Sequence, residues 1–359
     1  MGAYLSRVAL LLVLAALPAA AALGAETRLE VIRDAAGVPQ RIEIGGDWRG
    51  GCAPQLDEVR VDGNELTLLA RPDRARCLST GSDYRLQADI GELLDRSDAT
   101  LWRLRYLLQD DPLSPPRLHA FALLPWSAGM PQAAPEDGFW WGEPGGEFDH
   151  AGPGLSAQIE QQGEMIALTF TGYDDEGRPQ WLFGAAPLTA AATSIDLSRL
   201  DGGRGPFGGY RGPDQASSAG RVQVEWLSVA RAVFWFSRPA EDGRGIELRP
   251  LSMVRFDFGQ QPGPGWTGRW LFEIDGEAAA QPLRLSLVES GKDGFAMVGA
   301  NGETLVCTRS ARRPQSPPER CDLNLDADAP AWRFDDVGLN SLNGRDEAGR
   351  SVRGRFLGR

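Results

Sequence analysis

Tryptophan is the residue type in this chain whose number and placement best suit binding chemistry. The 359-residue sequence contains eleven tryptophans, and Trp140, Trp141 and Trp181 lie near turns, where an indole ring can stack on a sugar ring. The alternative is that each ring fills a β-sheet core with its indole N–H hydrogen-bonded, and this is our interpretation of Trp226 and Trp235, which lie within apolar strands. Successive strand residues point to opposite faces, so one of the adjacent rings at 140 and 141 should point inward and the other outward. We therefore name Trp140, Trp141 and Trp181 as ligand-binding candidates and expect one exposed aromatic ring among them.

The two histidines do not complete a catalytic constellation. His119 alternates with apolar residues in a predicted strand, and His150 follows Asp149 in a glycine-rich loop, where an Asp–His pair can orient a general base. No nucleophile motif accompanies this pair, because the stretch around Ser156 lacks the closing glycine of the hydrolase elbow. The sequence also contains three adjacent carboxylates, Asp174, Asp175 and Glu176. A solvated turn explains them better than a role in acid/base catalysis. The sequence therefore predicts no catalytic residue.

Two further patterns resemble cofactor or metal sites without meeting their requirements. Residues 203–208 match GxGxxG, but Pro206 and Pro213 are incompatible with the helix that a dinucleotide site needs. The alternating polar residues of 322–328 resemble part of a calcium loop, but Ala327 occupies the place of the required glycine. A strand with outward carboxylates explains the same spacing. We predict neither a cofactor nor a metal ion.

The first 24 residues have the order of a secretory signal peptide. Arg7 precedes an unbroken apolar run over 8–17, and small residues follow up to Gly24. We predict cleavage after Gly24, with Ala22 as the second choice, and a periplasmic or extracellular mature protein. The apolar run is too short for a membrane anchor, and no later stretch is apolar enough to span a bilayer.

The four cysteines predict two local disulfide bridges. An even number of cysteines in an exported chain favours disulfides, and the occurrence of one pair near each end suggests Cys52 with Cys77 and Cys307 with Cys321. Zinc is the alternative ligand for four cysteines, but the close CxxC spacing is absent. Each bridge should stabilise the fold by about 3 kcal/mol through the unfolded state.

Alternation of apolar and polar residues predicts an all-β chain. Over 101–108, apolar side chains take one face of a strand, and Arg103 and Arg105 point outward from the other face. An Asp-Gly turn at Gly63 predicts a hairpin, and 233–236 is apolar on both faces, as in a central buried strand. We predict a signal peptide over 1–24, an immunoglobulin-like sandwich over 25–125, a linker over 126–137, and two antiparallel meander or barrel-like modules over 138–258 and 259–359.

Two short echoes link the last two modules. The stretch 268–270 repeats the Gly-x-Trp of 138–140, and 346–350 repeats the acidic Gly-Arg turn of 174–178. These repeats indicate a duplicated β unit.

One further pattern spans the centre of the chain. It consists of Gly-x-Trp-Trp, a glycine-rich turn, Gln-Gly before a strand and Tyr-Asp-x-x-Gly-x-Pro-x-Trp, formed by Gly138, Trp140, Trp141, Gln162, Gly163, Tyr173, Asp174, Gly177, Pro179 and Trp181. It resembles a family of uncharacterised secreted proteins of xanthomonad type, although 145–147 depart from that family's Ser-Gly-x-Gly. The N-terminal part of the chain resembles a small β-sandwich domain of similar exported proteins. The residues that carry this resemblance are Gly46, Trp48, Gly51, Cys52 and Pro54. The resemblance implies export and a β fold, and it implies no activity.

The expected function is that of an exported, non-catalytic binding or interaction protein of the bacterial envelope. Its partner would be a glycan, a small apolar ligand or an envelope protein. A formal charge of −12 without a basic cluster argues against nucleic acid and anionic membrane surfaces. The alternative is a hydrolase of envelope polysaccharide that uses loop carboxylates. Two carboxylates facing across an open cleft would favour that alternative.

Overall fold

The chain is built almost wholly from antiparallel β-strands. The computed structural model describes residues 27–48, 51–78, 82–94, 99–110, 113–126, 135–148, 155–189, 192–203, 209, 211–258, 262–275, 277, 282–313, 316–326 and 331–359. The predicted signal peptide, most of the predicted linker, His150 and positions 204–208 lie outside these ranges. Within them the chain forms 23 strands and one short helix, α1 (Gly91–Leu94), and no helix is long and apolar enough to cross a membrane. The all-β prediction is confirmed.

Seven strands form the N-terminal sandwich. They are β1 (Arg28–Arg33), β2 (Pro39–Trp48), β3 (Gly51–Asp62), β4 (Glu65–Leu78), β5 (Ser82–Asp89), β6 (Leu101–Leu108) and β7 (Arg117–Pro125). One sheet has the order β1-β2-β5 and the other the order β3-β4-β6-β7. Ile42, Leu68 and Trp102 belong to one buried core that both sheets share. The predicted hairpin at Gly63 joins β3 to β4.

The second sheet of the sandwich differs in order from an immunoglobulin sheet, in which the third strand neighbours the sixth. Here β4 lies beside β6 and runs parallel to it. The reason is that β4 is the more apolar of the two hairpin strands, with Leu66 and Leu68 fully buried. By contrast, β3 carries Glu58 and Arg60 and suits the edge, where charged side chains protect an unpaired strand.

Each of the next two units is a closed barrel of eight antiparallel strands in chain order. The first contains β8 (Gly138–Gly142), β9 (Ser156–Gln162), β10 (Met165–Tyr173), β11 (Pro179–Pro187), β12 (Ala192–Asp201), β13 (Gln215–Ser228), β14 (Arg231–Pro239) and β15 (Ile246–Arg255). The second contains β16 (Gly268–Ile274), β17 (Leu283–Ser290), β18 (Gly294–Val298), β19 (Thr304–Thr308), β20 (Arg320–Asn324), β21 (Trp332–Val337), β22 (Ser341–Arg345) and β23 (Ser351–Gly358). Closure pairs β15 with β8 and β23 with β16, so neither barrel has a free edge.

The two barrels begin in the same way, which supports the interpretation of a duplicated unit. Trp140 and Trp270 are the third residues of their first strands, and both are fully buried. The indole N–H of Trp140 donates to the carbonyl oxygen of Glu136 at 3.0 Å, and that of Trp270 donates to Trp266 at 3.0 Å. In each case the acceptor lies four residues earlier in the chain.

Both predicted disulfides are confirmed, and each joins neighbouring strands. Cys52 and Cys77 face each other across β3 and β4, and Cys307 and Cys321 face each other across β19 and β20. The second bridge is fully buried in the core of its barrel. It closes the polar, proline-rich segment of 309–319.

Strand β14 is buried on both faces, as predicted. Phe234 points into the first barrel, whereas Val233 and Trp235 point outward and pack beneath the sandwich. The ring of Trp235 stacks on Phe121 of β7 with 4.8 Å between ring centroids. An apolar outer face on this strand is therefore the contact surface for the sandwich.

Arg103 joins the sandwich to the first barrel. Its position on the outward face of β6, with Arg105, was predicted to place it in solvent, but Arg103 is only 5 % exposed because the barrel covers that face. Its Nε donates to Glu225 at 3.0 Å, and its two Nη atoms donate to the carboxylate of Glu147 at 2.7 and 2.9 Å. The guanidinium also lies 4.9 Å from the ring centroid of Trp235.

Carboxylates also connect the two barrels. Glu136 accepts three hydrogen bonds from residues 339–341, two from backbone N–H groups and one from a serine hydroxyl. Glu143, which is 1 % exposed, pairs with Arg231 at 2.8 Å and accepts a hydrogen bond from the Ser316 hydroxyl at 2.9 Å. These contacts tie the second barrel to the start of the first.

We expect Arg103→Ala to lower the free energy of unfolding by about 3–5 kcal/mol, because it leaves the buried Glu225 without a counter-charge. The matched control is Arg105→Ala on the same strand, whose surface pair with Glu65 should be worth at most about 1 kcal/mol. Urea unfolding followed by tryptophan fluorescence measures both values. Equal losses in the two variants would contradict the role of Arg103 as a buried link.

A pH-dependent contribution is expected from Asp336 of the second barrel, which accepts hydrogen bonds from the Val229 backbone N–H at 2.7 Å and the Asn343 amide at 3.1 Å. Burial raises the pKa of Asp336 above its ordinary value of 3.8, and these hydrogen bonds oppose the shift. Its contribution to stability is therefore fully present below the unfolded-state pKa and is lost as pH rises through the folded-state pKa.

Relative to Asp336→Asn, the wild-type protein should thus lose stability as the pH rises from below 3.8 through the raised folded-state pKa of Asp336. Urea midpoints at several pH values measure this difference. Asp335→Asn, which changes an exposed carboxylate on the same strand, controls for the loss of one charge. The same pH trend in both variants would attribute the effect to net charge and not to burial.

Candidate functional site

A cleft of about 1630 Å³ lies between the sandwich and the first barrel, and we call it the interdomain cleft. Its sandwich wall includes parts of β1, β2, β5 and β7. Its barrel wall is formed by the β10–β11 turn, by β12 and β13, and by the segment 237–246 between β14 and β15. Residues that line it on the two sides include Tyr84, Asp110, His119, Phe121, Asp174, Arg178, Ser194, Ser218, Gln223 and Asp242.

The side chain of Gln223 joins the two walls of the interdomain cleft, because its amide group makes hydrogen bonds to the backbone of strand β7. Gln223 of β13 donates from its amide nitrogen to the carbonyl oxygen of Phe121 at 2.8 Å and accepts from the backbone N–H of Leu123 at 2.9 Å. These bonds satisfy backbone groups of β7, which is an edge strand of its sheet. Arg117 and Asp242 form a further ion pair across the same boundary. These hydrogen bonds and this ion pair fix the position of the barrel wall relative to the sandwich wall.

Most of the charged groups on the barrel wall are paired. Arg221 donates to Asp196 at 2.7 Å, and Arg238 donates to Asp175 at 2.8 Å. The backbone N–H and the guanidinium of Arg178 lower the pKa of Asp174. Arg117 and the backbone N–H of Arg244 lower the pKa of Asp242. These two carboxylates are therefore held in the ionised form.

A shallow groove of about 490 Å³ continues the interdomain cleft onto the outside of the barrel. We call it the Trp181 groove. Trp181 is 74 % exposed there. The groove and the cleft are continuous because they share Asp174, Arg178, Gln180 and Arg199. The remaining lining residues of the groove are Pro179, Trp181, Leu200 and Asp201.

Strand alternation explains the exposure of Trp181. Leu182 is buried in the barrel core, so its neighbour must point outward. Three polar side chains of the same groove each make a hydrogen bond within the protein. Arg178 donates to Asp174 at 2.7 Å, Gln180 donates to the carbonyl oxygen of Tyr173 at 3.0 Å, and Arg199 donates to Asp201 at 3.1 Å. The groove that contains the indole is thus lined by oriented hydrogen-bonding groups.

The turn before Trp181 recurs elsewhere in the chain. Asp174 accepts a hydrogen bond from the backbone N–H of Arg178 at 2.8 Å. Gly177 adopts a φ of 78°, a left-handed conformation that glycine adopts without the steric strain of a side chain. The same arrangement, with an aspartate first and a left-handed glycine fourth, occurs at Asp34 with Gly37 and at Asp346 with Gly349. The Tyr-Asp-x-x-Gly-x-Pro-x-Trp pattern therefore specifies a hairpin turn, and its last residue is the exposed indole.

The structure separates the three tryptophans named as binding candidates. Trp140 is fully buried in the barrel core, so its ring is not available at the surface. Trp141 is half-buried on the outer face and packs edge-on against Phe256 with 4.6 Å between ring centroids. Trp181 lies three strands further on, and three of eight strands span about 135° around a barrel. Trp181 is the candidate that reaches a concave surface, and the other two do not join it there.

The remaining sequence candidates are also located. His119 faces the interdomain cleft, and burial lowers its pKa. Asp322 pairs with Arg320 at 2.7 Å on β20, as expected for an outward carboxylate on a strand. In the ranges that the structure describes, no group of three or more His, Cys, Asp or Glu side chains is arranged to hold a metal ion.

Several cleft residues were not found from the sequence. Gln223 lies 102 residues from its partner Phe121, and Asp242 lies 125 residues from Arg117. The serines of the barrel wall, Ser194, Ser217, Ser218 and Ser237, belong to no motif. The only local signal is the glycine-rich turn around Gly243, which indicates a hairpin and not a site.

No protein-family model matches the chain, and no curated protein matches it.

Proposed function

We propose that this chain is an exported, non-catalytic binding protein of the bacterial envelope that holds its ligand in the interdomain cleft and the Trp181 groove. The observation that carries the proposal is the continuity between a cleft walled by two domains and an indole that is 74 % exposed at its mouth. Ligand sites occur preferentially at domain boundaries, with aromatic side chains and a few oriented polar groups.

Export is supported by the leader-like first 24 residues and by the disulfides. All four cysteines are paired in bridges, which form and persist in oxidising compartments. The formal charge of −12 does not favour binding to nucleic acid, whose phosphates are bound by basic residues.

The barrel interiors give less support to a small apolar ligand. Residues that point into the first barrel, such as Trp140, Phe234 and Met253, are fully buried and belong to one packed cluster. An eight-stranded barrel is just wide enough for its own side chains to fill it. The outer surface and the interdomain cleft are the better candidates for binding.

The alternative function, hydrolysis of a polysaccharide, is favoured by the presence of carboxylates on both walls of the cleft. Asp110 lies on the sandwich side, and Asp174 and Asp242 lie on the barrel side. A glycosidase needs one carboxyl group whose pKa is raised, so that it can donate a proton. The pKa values of Asp174 and Asp242 are lowered, and both groups are held by arginines. Asp174 and Asp242 are therefore unsuited to the role of the proton donor.

A bulky covalent label in the interdomain cleft tests the position of the site. Ser218 is exposed on the barrel wall of the cleft, and the native cysteines are all bonded, so Ser218→Cys introduces a single thiol for a bulky maleimide. We expect a ligand from a panel of polysaccharides, phospholipids and peptides to raise the melting temperature by a few degrees at about 100 times its Kd. The labelled Ser218→Cys protein should lose this shift, and the unlabelled variant should keep it.

The matched control is Val288→Cys, labelled in the same way on the exposed surface of the second barrel, which should retain the shift. A shift that persists in the labelled Ser218→Cys protein would place binding elsewhere. Absence of any shift across the panel would count against a ligand site of this kind. Release of reducing ends from a polysaccharide would establish the hydrolase instead.

A further inference from the structure

We infer that the ligand of this site is an uncharged glycan chain that stacks one sugar ring on Trp181 and extends from the Trp181 groove into the interdomain cleft. The inference rests on the proposed function and names its ligand class. It combines three observations: an apolar platform, a rim of fixed hydrogen-bonding groups, and a cleft of mixed charge.

The platform lies on the outer face of β11 and β12. Trp181 is 74 % exposed, Phe183 is 48 % exposed and Leu200 is 53 % exposed, and Trp181 and Leu200 line the same groove. A pyranose ring presents C–H groups on its flat faces, and a large, rigid aromatic ring is the side chain that covers such a face best. The grouping of these three large apolar side chains on one face is the property that suits a binding surface.

The rim of the platform suits the edge of a sugar ring, which carries hydroxyl groups. Arg178, Gln180 and Arg199 line the same groove as the indole, and each is held by an intramolecular partner. A guanidinium and an amide still have further N–H donors after one such bond, so they can bind ligand hydroxyls without reorganising. A lipid tail placed on the same platform would leave these polar groups unsatisfied.

The charge of the cleft disfavours an ionic ligand. Eight carboxylates and five arginines line it, and several of them are paired with one another. An anionic chain would meet an excess of carboxylates. For a cationic chain the attraction is reduced, because five of the eight carboxylates, Asp174, Asp175, Glu176, Asp196 and Asp242, are already paired with arginines. The barrel wall also presents the hydroxyls of Ser194, Ser217, Ser218 and Ser237, which both donate and accept. Neutral hydroxyl groups match this surface.

The size of the cleft favours a chain over a single sugar. Pockets for drug-sized ligands have volumes of roughly 300–1,000 Å³, whereas the interdomain cleft alone has about 1630 Å³. The Trp181 groove extends it at one end. Several linked sugar rings are therefore needed to fill the site.

Affinity electrophoresis of the full mature protein tests this inference. Native gels would contain glycogen, hydroxyethylcellulose or galactomannan as neutral probes, pectate as an anionic probe, or polylysine as a cationic probe. We expect at least one neutral polysaccharide to retard the protein. Trp181→Ala should raise the apparent Kd at least about tenfold, and Trp181→Phe should retain most of the affinity.

The control is Phe258→Ala, which removes an aromatic ring of nearly equal exposure, 73 %, that does not line the cleft or the groove. Its retardation should equal that of the wild type. No retardation by any neutral polysaccharide, or equal retardation of Trp181→Ala and wild type, would overturn the inference.

The failure of this inference and the failure of the proposed function are distinguishable. Retardation by pectate or polylysine alone, abolished in the labelled Ser218→Cys protein, would overturn the neutral glycan and leave the cleft as the binding site. Retardation by a neutral polysaccharide that persists in the labelled Ser218→Cys protein and in Trp181→Ala would overturn both this inference and the proposed function.

Discussion

The ion pairs of the buried Arg103 guanidinium are the interaction on which the arrangement of the site depends. One guanidinium leaves the sandwich and meets carboxylates from two places on the first barrel, Glu147 in the β8–β9 connection and Glu225 in β13. A buried charge is tolerated only when it is fully paired, and the planar fork of arginine can serve both partners at once. Because the same β13 also carries Ser217, Ser218 and Gln223 of the cleft, this pairing sets the barrel wall against the sandwich wall.

Closure of the barrels explains why the candidate site lies outside them. A closed sheet of eight strands has no edge to offer and little internal space once aromatic side chains occupy it. The first barrel therefore contributes its outer wall. Strand β14 packs beneath the sandwich through Val233 and Trp235, whereas Trp181 of β11 is exposed to solvent. One continuous wall thus supplies both a domain interface and an exposed platform.

Pairing of opposite charges gives the cleft its chemical character. Carboxylates that are held by arginines, such as Asp174 and Asp242, stay ionised and oriented, which suits hydrogen bonding and not proton donation. Surface ion pairs of this kind contribute little to stability. Their combined effect is a polar surface of mixed charge with few mobile groups, and such preorganisation lowers the entropic cost of binding.

Local features of the chain were predictable from sequence, because strand alternation, turn residues and cysteine spacing act over a few residues. The all-β class, the hairpin at Gly63, both disulfides and the doubly buried strand at 233–236 followed from such patterns. Tertiary structure alone decided that Arg103 is buried, because the face of β6 that looks polar in sequence is covered by a barrel more than 40 residues away. It also decided which of the adjacent tryptophans enters the core and that Trp181 borders a cleft. Alternation gives two faces without saying which one is inside, and only the register of a closed barrel makes that choice.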